Sequence, residues 1–379
     1  MELVLGNFWN ERFWLPGNIT WKDVEPGFRD GITYRNYNDL LWSIPLAIAI
    51  TALRSCCIKY FFIPLGHILH IKSKKVKIPF ENAVLEKMYR KCHKLPTDME
   101  LVNLKKQTDL SKREIERWWR KRRAHDRPTS LDKFGENCWR FLFYSSNFIF
   151  GLSILWNTSW MWNFIDMFRG YPKHSLDNGL WWYYNITLAF YTSQTFLHFI
   201  ETRRKDFWQM FIHHILTITL IMASWTVNAV RGGSLIVFVH DIADVLLEGA
   251  KTLKYTKYDK LASTFFVAFA FVWIITRLGI FSRIVHCGIF EFPTLFPPYP
   301  IYYLLAIMNV FLLTLHIVWT YMIYQVAIKL ITHKTFEDVR SSTEDESVSD
   351  HASDTKNGVI KNGNGIAKNG HVKNGSAVN

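Results

Sequence analysis

Apolar residues in this chain gather into long runs separated by strongly polar connectors. A helix that crosses a bilayer needs about 20 mostly apolar residues. Seven runs read that way, at roughly 40–63, 139–160, 180–200, 207–228, 233–250, 261–286 and 301–330. The fifth is short and polar; the seventh is long enough to tilt or to extend past a membrane. The expected fold class is an all-α polytopic membrane protein with about seven transmembrane helices and a small cytosolic helical insert. Lys and Arg near helix ends set orientation. The connectors 64–138, 201–206 (ETRRKD) and 251–260 (KTLKYTKYDK) are basic, whereas 161–179, 229–232 and 287–300 carry few positive charges. The N-terminus is therefore expected in the lumen and the C-terminus in the cytosol. No basic stretch followed by a short apolar core opens the chain, so the first membrane helix is expected to act as the insertion signal rather than a cleaved peptide.

The long basic connector has a helical pattern of its own. Thr97 with Glu100 and Ser111 with Glu114 form two capping boxes, in which each hydroxyl and carboxylate satisfy free N–H groups at a helix start. The second helix reads SKREIERWWRKRRAHDRP, with Ile115, Trp118 and Trp119 as its buried face and Pro128 as its stop. This pair resembles the back two-thirds of a homeodomain. The homeodomain's third helix reads Trp-aromatic-Gln-Asn-Arg-Arg, and its Asn bonds an adenine edge. Here the order is Trp118, Trp119, Arg120, Lys121, Arg122, Arg123, so Lys121 stands at the base-reading position. Lys and Arg hold phosphates without reading sequence. Sequence-specific DNA binding is not expected, and a membrane-tethered transcription regulator would have kept the Asn. A scaffold, contact with anionic headgroups, or support of the membrane domain remain as roles.

Composition sharpens the picture. The chain is 49% hydrophobic with 16 Trp, as in a membrane protein rather than a soluble enzyme. Net charge is +13, and residues 72–127 hold 18 Lys/Arg against 8 Asp/Glu, so one block carries most of the excess. Five scattered cysteines (Cys56, Cys57, Cys92, Cys138, Cys287) show no CxxC pair, and neither a disulfide framework nor a zinc site is read. From about residue 335 the chain becomes acidic, Ser-rich and then a Lys-Asn-Gly repeat, which cannot bury enough apolar surface to fold. Ser341, Ser347 and Ser349 lie near acidic residues there and are candidate phosphorylation sites beside the plain reading of a solvated tail. Asn18 opens a glycosylation sequon in the luminal tail, making the chain a candidate glycoprotein.

The chemistry concentrates in FIHHILTITLIMASWTVNAVRGGSLIVFVHDIADVLLEGAK, residues 211–251. It places His213, His214, His240, Asp241, Asp244 and Glu248 in membrane helices four and five, where each charge costs at least a few kcal/mol. At 1.5 Å per residue, His213, His214 and Asp244 lie about 10 Å from the cytosolic ends, and His240 about 16 Å. RGG reads as a tight connector that makes the two helices antiparallel neighbours. His240 and Asp244 (i,i+4) and Asp241 and Asp244 (i,i+3) then share a face that Glu248 continues. One such His would read as a packing residue; this many on facing helices point to acid-base or nucleophilic chemistry, with a carboxylate orienting an imidazole. Metal binding is a further reading of the same groups, but the acids neighbour a His rather than forming a known ligand spacing, and no metal is expected. Arg277 in the sixth run is placed to pair with one of the acids; Arg54 snorkels to the cytosolic surface, and His198 and Glu201 read as a solvated helix end.

HHILTITLIMASW, RGG and HDIADVLLEGAK closely resemble the motif of the ceramide synthases, within the TRAM-LAG-CLN (TLC) membrane domain. The order of parts matches as well, over about residues 1–335. The resemblance implies a luminal segment (1–39), a first transmembrane helix (40–63), a homeobox-like domain (72–128) and a TLC domain of six helices (134–333); it does not cover the tail (335–379), which composition reads as disordered and cytosolic. It implies N-acylation of a sphingoid long-chain base by a fatty acyl-CoA in the endoplasmic reticulum membrane, with no cofactor besides that co-substrate and with a homo- or heterodimer left open. In that chemistry His213 attacks the thioester, Asp241 or Asp244 orients an imidazole, and His214 or His240 takes the amine proton; direct transfer with His acting only as base competes. His213 is not ranked above His214. Arg203, Arg204, Lys205, Lys251 and Lys254 surround the cytosolic entrance and are candidate partners for CoA phosphates, although positive-inside topology explains them equally well. In the family the loop between the last two helices, here 287–300, influences acyl preference. A non-catalytic TLC-domain lipid sensor or transporter is the alternative reading.

Overall fold

The computed structural model describes residues 9–17, 19–25, 36–73, 75–201 and 206–333, and these contain helices and connecting turns but no strand. Ten helices organise it: α1 Tyr37–Ile68, α2 Ala83–Lys91, α3 Asp98–Thr108, α4 Lys112–Asp126, α5 Ser130–Leu155, α6 Asn178–His198, α7 Phe207–Thr226, α8 Val230–Lys254, α9 Asp259–Leu295 and α10 Pro300–His333. By length and composition α1, α7, α9 and α10 are apolar enough to cross a membrane. Their outward faces carry Ile48, Phe271, Ile307 and Tyr321, all more than half exposed.

The basic connector folds as three short helices on one core. Leu85 and Tyr89 of α2, Leu101 and Leu104 of α3, and Ile115, Trp118 and Trp119 of α4 meet there. Both expected capping boxes form: Glu100 accepts from the Thr97 N–H at 2.8 Å, and Glu114 from the Ser111 N–H at 2.8 Å. Asp109, in left-handed geometry at φ 53°, turns α3 into α4. A third capping box, Thr129 with Asp132, starts α5 immediately afterwards. Arg122 grips Glu86 (3.0 Å) and also pairs with Asp126. Its guanidinium holds the Glu86 carboxyl below the usual range. Burial, with help from the hydrogen bond to Asp126, pushes the Tyr89 hydroxyl up to about 12. Arg120 and Lys121 remain exposed on the opposite face.

The helix bundle is built around α8. Phe238 of α8 stacks on Phe148 of α5 with ring centroids 4.9 Å apart. On its other side Asp244 of α8 pairs with Arg277 of α9. α1 lies against α6, where Thr51 and Ser193 hydroxyls are 2.8 Å apart. α10 closes the bundle, with Trp273 of α9 donating to Thr320 at 2.9 Å.

Several boundaries differ from the sequence reading. RGG is not the connector: α7 ends at Thr226 and Arg231, Gly232 and Gly233 already lie in α8. The turn is made instead by Asn228, at φ 56°, whose amide donates to the carbonyls of Pro172 and His174. An ideal Cβ on Gly233 would stand 1.9 Å from the Tyr184 hydroxyl, so this glycine is there for close approach. The short, polar fifth run becomes the 25-residue α8, because its polar groups find partners inside the bundle. The 287–300 loop shrinks, because α9 continues through a π-helical turn, Cys287–Glu291, to Leu295. Arg54 is paired within the bundle, and Glu201 is not a free end. Glu201 accepts from Arg54 at 2.8 Å and from Arg140 at 2.6 Å, tying α1 and α5 to the end of α6.

Candidate active site

Two chambers meet inside the bundle. One has a polar end formed by Arg140, Glu201, Asp206, Glu248 and Lys251. The other is mostly apolar and reaches the opposite end of the bundle, where Phe168, Phe292, Tyr299 and Tyr302 line it. Tyr191, His213 and His240 line both and so form the neck between them.

α7 supplies His213 and His214. His213 stands at the neck with its ring edge-on to Trp319, centroids 5.3 Å apart. His214 turns into the polar chamber beside His198, centroids 5.6 Å apart. The Nδ1 atoms of both rings are buried and make no hydrogen bond among the described residues. An imidazole nitrogen without a protein partner, beside a cavity, is available to a ligand as acceptor or nucleophile.

α8 supplies the other groups, but not on one face. His240, Asp244 and Glu248 line the polar chamber. Asp241 lines neither chamber. It is 1% exposed and turns toward α5 and α6, accepting from Asn147 at 2.7 Å and from the Tyr183 hydroxyl at 3.5 Å. One helical residue beyond His240 turns the side chain by about 100°, enough to carry Asp241 behind the wall that His240 faces. His240 Nδ1 lies 2.6 Å from the Ile236 carbonyl, and its Nε2 lies 3.3 Å from Nε2 of His316. Arg277 pairs with an acid as expected: it donates to Asp244 at 3.0 Å and to the His240 carbonyl at 2.8 Å. It sits on a π-helical stretch of α9, Ile274–Ile280, a departure from α geometry that is frequent at functional sites.

Of the proposed entrance residues, Lys251 lines the polar chamber but is buried, donating to Glu248 at 2.5 Å. Lys254 does not line it. Arg203, Arg204 and Lys205 lie outside the described residues, as do Asn18, Ser341, Ser347 and Ser349. Among the described residues no three His, Cys, Asp or Glu side chains are grouped to hold a metal ion.

Sequence reasoning missed His316 and Tyr191. His316 stands alone in an apolar run of α10, with none of the clustering that drew attention to residues 211–251, yet an ionisable group within a membrane span is by itself a signal of function. Tyr191 sits among the aromatic residues of α6 and carries no local signal.

A helical membrane domain with an internal two-chamber cavity and histidines at its neck is the class these features define. Residues 133–325 match the TLC domain family. Over most of its length the chain is also similar to ceramide synthase 5 of Homo sapiens (40% identical; 92% of this chain and 89% of that protein), ceramide synthase 4 of Bos taurus (36%; 94% and 90%) and ceramide synthase hyl-1 of Caenorhabditis elegans (30%; 89% and 84%). The chain belongs to the ceramide synthase family of TLC-domain proteins.

Proposed function

We propose that this protein is an N-acyltransferase that joins the acyl group of a fatty acyl-CoA to the amine of a sphingoid long-chain base, forming ceramide or dihydroceramide. The observation that carries the reading is the neck: His213 and His240 stand where a polar chamber meets an apolar one, in a chain related to ceramide synthases over nine-tenths of its length. The polar chamber suits the thioester and amine, and the apolar chamber suits the hydrocarbon chain.

In the first step a bare nitrogen of His213 bonds to the thioester carbonyl carbon. The C–S bond breaks with its electron pair on sulfur, and the ring proton of His213 passes to the thiolate, releasing CoA as thiol. The neutral sphingoid amine then attacks the acyl-imidazole, the C–N bond to His213 breaks, and the amine's surplus proton restores the ring. Arg277 holds Asp244 and the His240 backbone in place, so the acid is fixed on the wall of the chamber that the imidazoles line. Asp241, behind the wall, acts as a packing and positioning acid rather than at the reacting atoms.

The wider reading places the protein in the endoplasmic reticulum membrane with seven spans, α1 and α5–α10. The N-terminus is luminal, the basic three-helix unit is cytosolic and homeobox-like without base reading, and CoA arrives from the cytosolic side. The three long helices that fall short on apolarity, α5, α6 and α8, turn their polar groups onto one another, as the Asn147–Asp241 bond illustrates. That is how polar residues are accommodated at membrane depth.

The test uses microsomes from cells that lack endogenous activity, expressing the parent chain or His213→Ala/His214→Ala. They are supplied with sphinganine and a panel of acyl-CoAs, and products are quantified by mass spectrometry. N-acyl product from the parent and none from the double variant is expected. A well-inserted parent that forms none returns the reading to a lipid sensor or transporter.

A further inference from the structure

His316 is a buried titratable group that the scheme above leaves unused. It is 1% exposed, lies on α10 and lines the polar chamber with His213 and His240. Its ring is packed among Trp273, Phe281 and Trp319. Burying an imidazole among aromatic rings is unfavourable unless its polar atoms are used.

Hydrogen-bond roles at this site follow from one backbone carbonyl. The Ile236 oxygen can only accept, so His240 Nδ1, at 2.6 Å, carries the hydrogen. In the neutral ring His240 Nε2 is then the acceptor. The atom facing it at 3.3 Å is Nε2 of His316, which must be the donor. With its hydrogen on Nε2, neutral His316 has its lone pair on Nδ1, and that buried atom has no hydrogen-bond partner among the described residues. His240 is thus the residue whose position in the motif suggests a base, yet both its nitrogens are engaged. The basic lone pair of the pair has been transferred to α10.

We propose that His316 Nδ1 is the general base that takes the ammonium proton of the sphingoid base, with His240 as the second station of a two-histidine relay. This deepens the N-acyltransferase reading and rests on it. The N–H bond of the ammonium breaks, its electron pair stays on nitrogen, and the proton goes to His316 Nδ1. The His316 Nε2 proton then passes to His240 Nε2, leaving His316 neutral and His240 cationic, with its Nδ1–H still on the Ile236 carbonyl. The charge returns by the same route, His240 Nε2 giving its proton back to His316 Nε2 and His316 Nδ1 releasing one proton per turnover to water in the polar chamber, which restores both tautomers. The free amine is left to attack the acyl carbon. Tyr191 from α6, His213 from α7, Asp244 from α8 and Arg277 from α9 line the same chamber and set the field the relay works in. Asp244, bonded to Arg277, is the acid placed to balance the cation formed on His240.

His316→Gln tests the proposal. A glutamine amide can still donate to His240 Nε2, but it cannot take up a proton. Amine transfer is measured for parent and variant across pH, together with the KM for acyl-CoA and thermal stability. General-base loss removes about 10²–10⁴-fold of rate. The expected result is a deficit of that order in kcat at neutral pH that narrows as pH rises, because more of the amine then arrives already neutral. Acyl-CoA KM and stability should stay near those of the parent. A variant with parental turnover, or with a deficit that is the same at every pH, overturns the base assignment while leaving the N-acyltransferase reading intact. Failure of the parent itself to form N-acyl product would overturn that reading instead. If glutamine cannot be packed, His316→Asn faces the same pH criterion.

Discussion

Asp244 and Arg277 offer a sharp energetic test of how the site is held. The guanidinium is 3% exposed, and its acceptors are Asp244 at 3.0 Å and the His240 carbonyl at 2.8 Å. It also lies over the Trp273 ring, 5.0 Å from the centroid. Removing one partner of a buried ion pair strands the other charge and costs about 3–5 kcal/mol. Because Arg277 keeps its carbonyl and its aromatic neighbour, Asp244→Leu should sit at the lower end, about 3 kcal/mol, or roughly a hundredfold in the folded-to-unfolded ratio at about 1.4 kcal/mol per decade. Replacing both partners with apolar residues, Asp244→Leu/Arg277→Met, removes the stranded charge and should recover most of that loss. The assay is reversible unfolding of the purified protein in nanodiscs, followed by the fluorescence of its 16 tryptophans. A single variant as stable as the parent, or a double variant as unstable as the sum of the two singles, would refute the buried-pair reasoning. Activity should be lost in all three variants, whatever their stability, because the acid is either removed or deprived of the guanidinium that holds it.

Other outcomes follow from separate parts of the structure. Gly233→Ala should destabilise the α7–α8 junction by about 1–3 kcal/mol by overpacking, and Tyr184→Phe should restore part of it, since the nearest clash is with that hydroxyl at 1.9 Å; the melting temperatures of the two singles and the double decide. Trp119→Ala, at a fully buried position in the three-helix unit, should cost about 3–5 kcal/mol of that unit's stability, read as faster hydrogen exchange confined to 83–126 in the full chain. Glu86→Gln should weaken the same unit modestly at pH 7. The Glu86 carboxyl is held below its ordinary range, so its contribution is full above the unfolded value of about 4.3 and fades as pH falls through the folded value; the variant and parent should therefore converge in acid, and a gap that widens there would contradict the assignment.

What the sequence made legible was set by contrast. Charges inside apolar runs are expensive, so His213, His214, His240 and Asp244 stood out before any coordinates, and all four line the cavity. Capping boxes are local, and both that were read from the sequence form. The face assignment of Asp241 failed because sequence spacing gives angular position but not which neighbours wrap the helix; α5 brings Asn147 to that side. RGG was misread because glycine signals either a turn or close approach, and here Gly233 serves close approach to Tyr184. His316 carried only the weak signal of a lone histidine in an apolar run, because its partner, His240, is 76 residues away in sequence and only the packing of α10 brings them together. Glu201 read as a free end for the same reason, since Arg54 and Arg140 come from distant helices.

The most direct test of the account is the mass of the purified protein after brief exposure to a fatty acyl-CoA in the absence of amine. The account predicts a gain of one acyl group that maps to His213, is absent in His213→Ala, and disappears on adding sphinganine as N-acyl product forms. An adduct that maps elsewhere, or turnover with no adduct at any time, would contradict acyl transfer through His213.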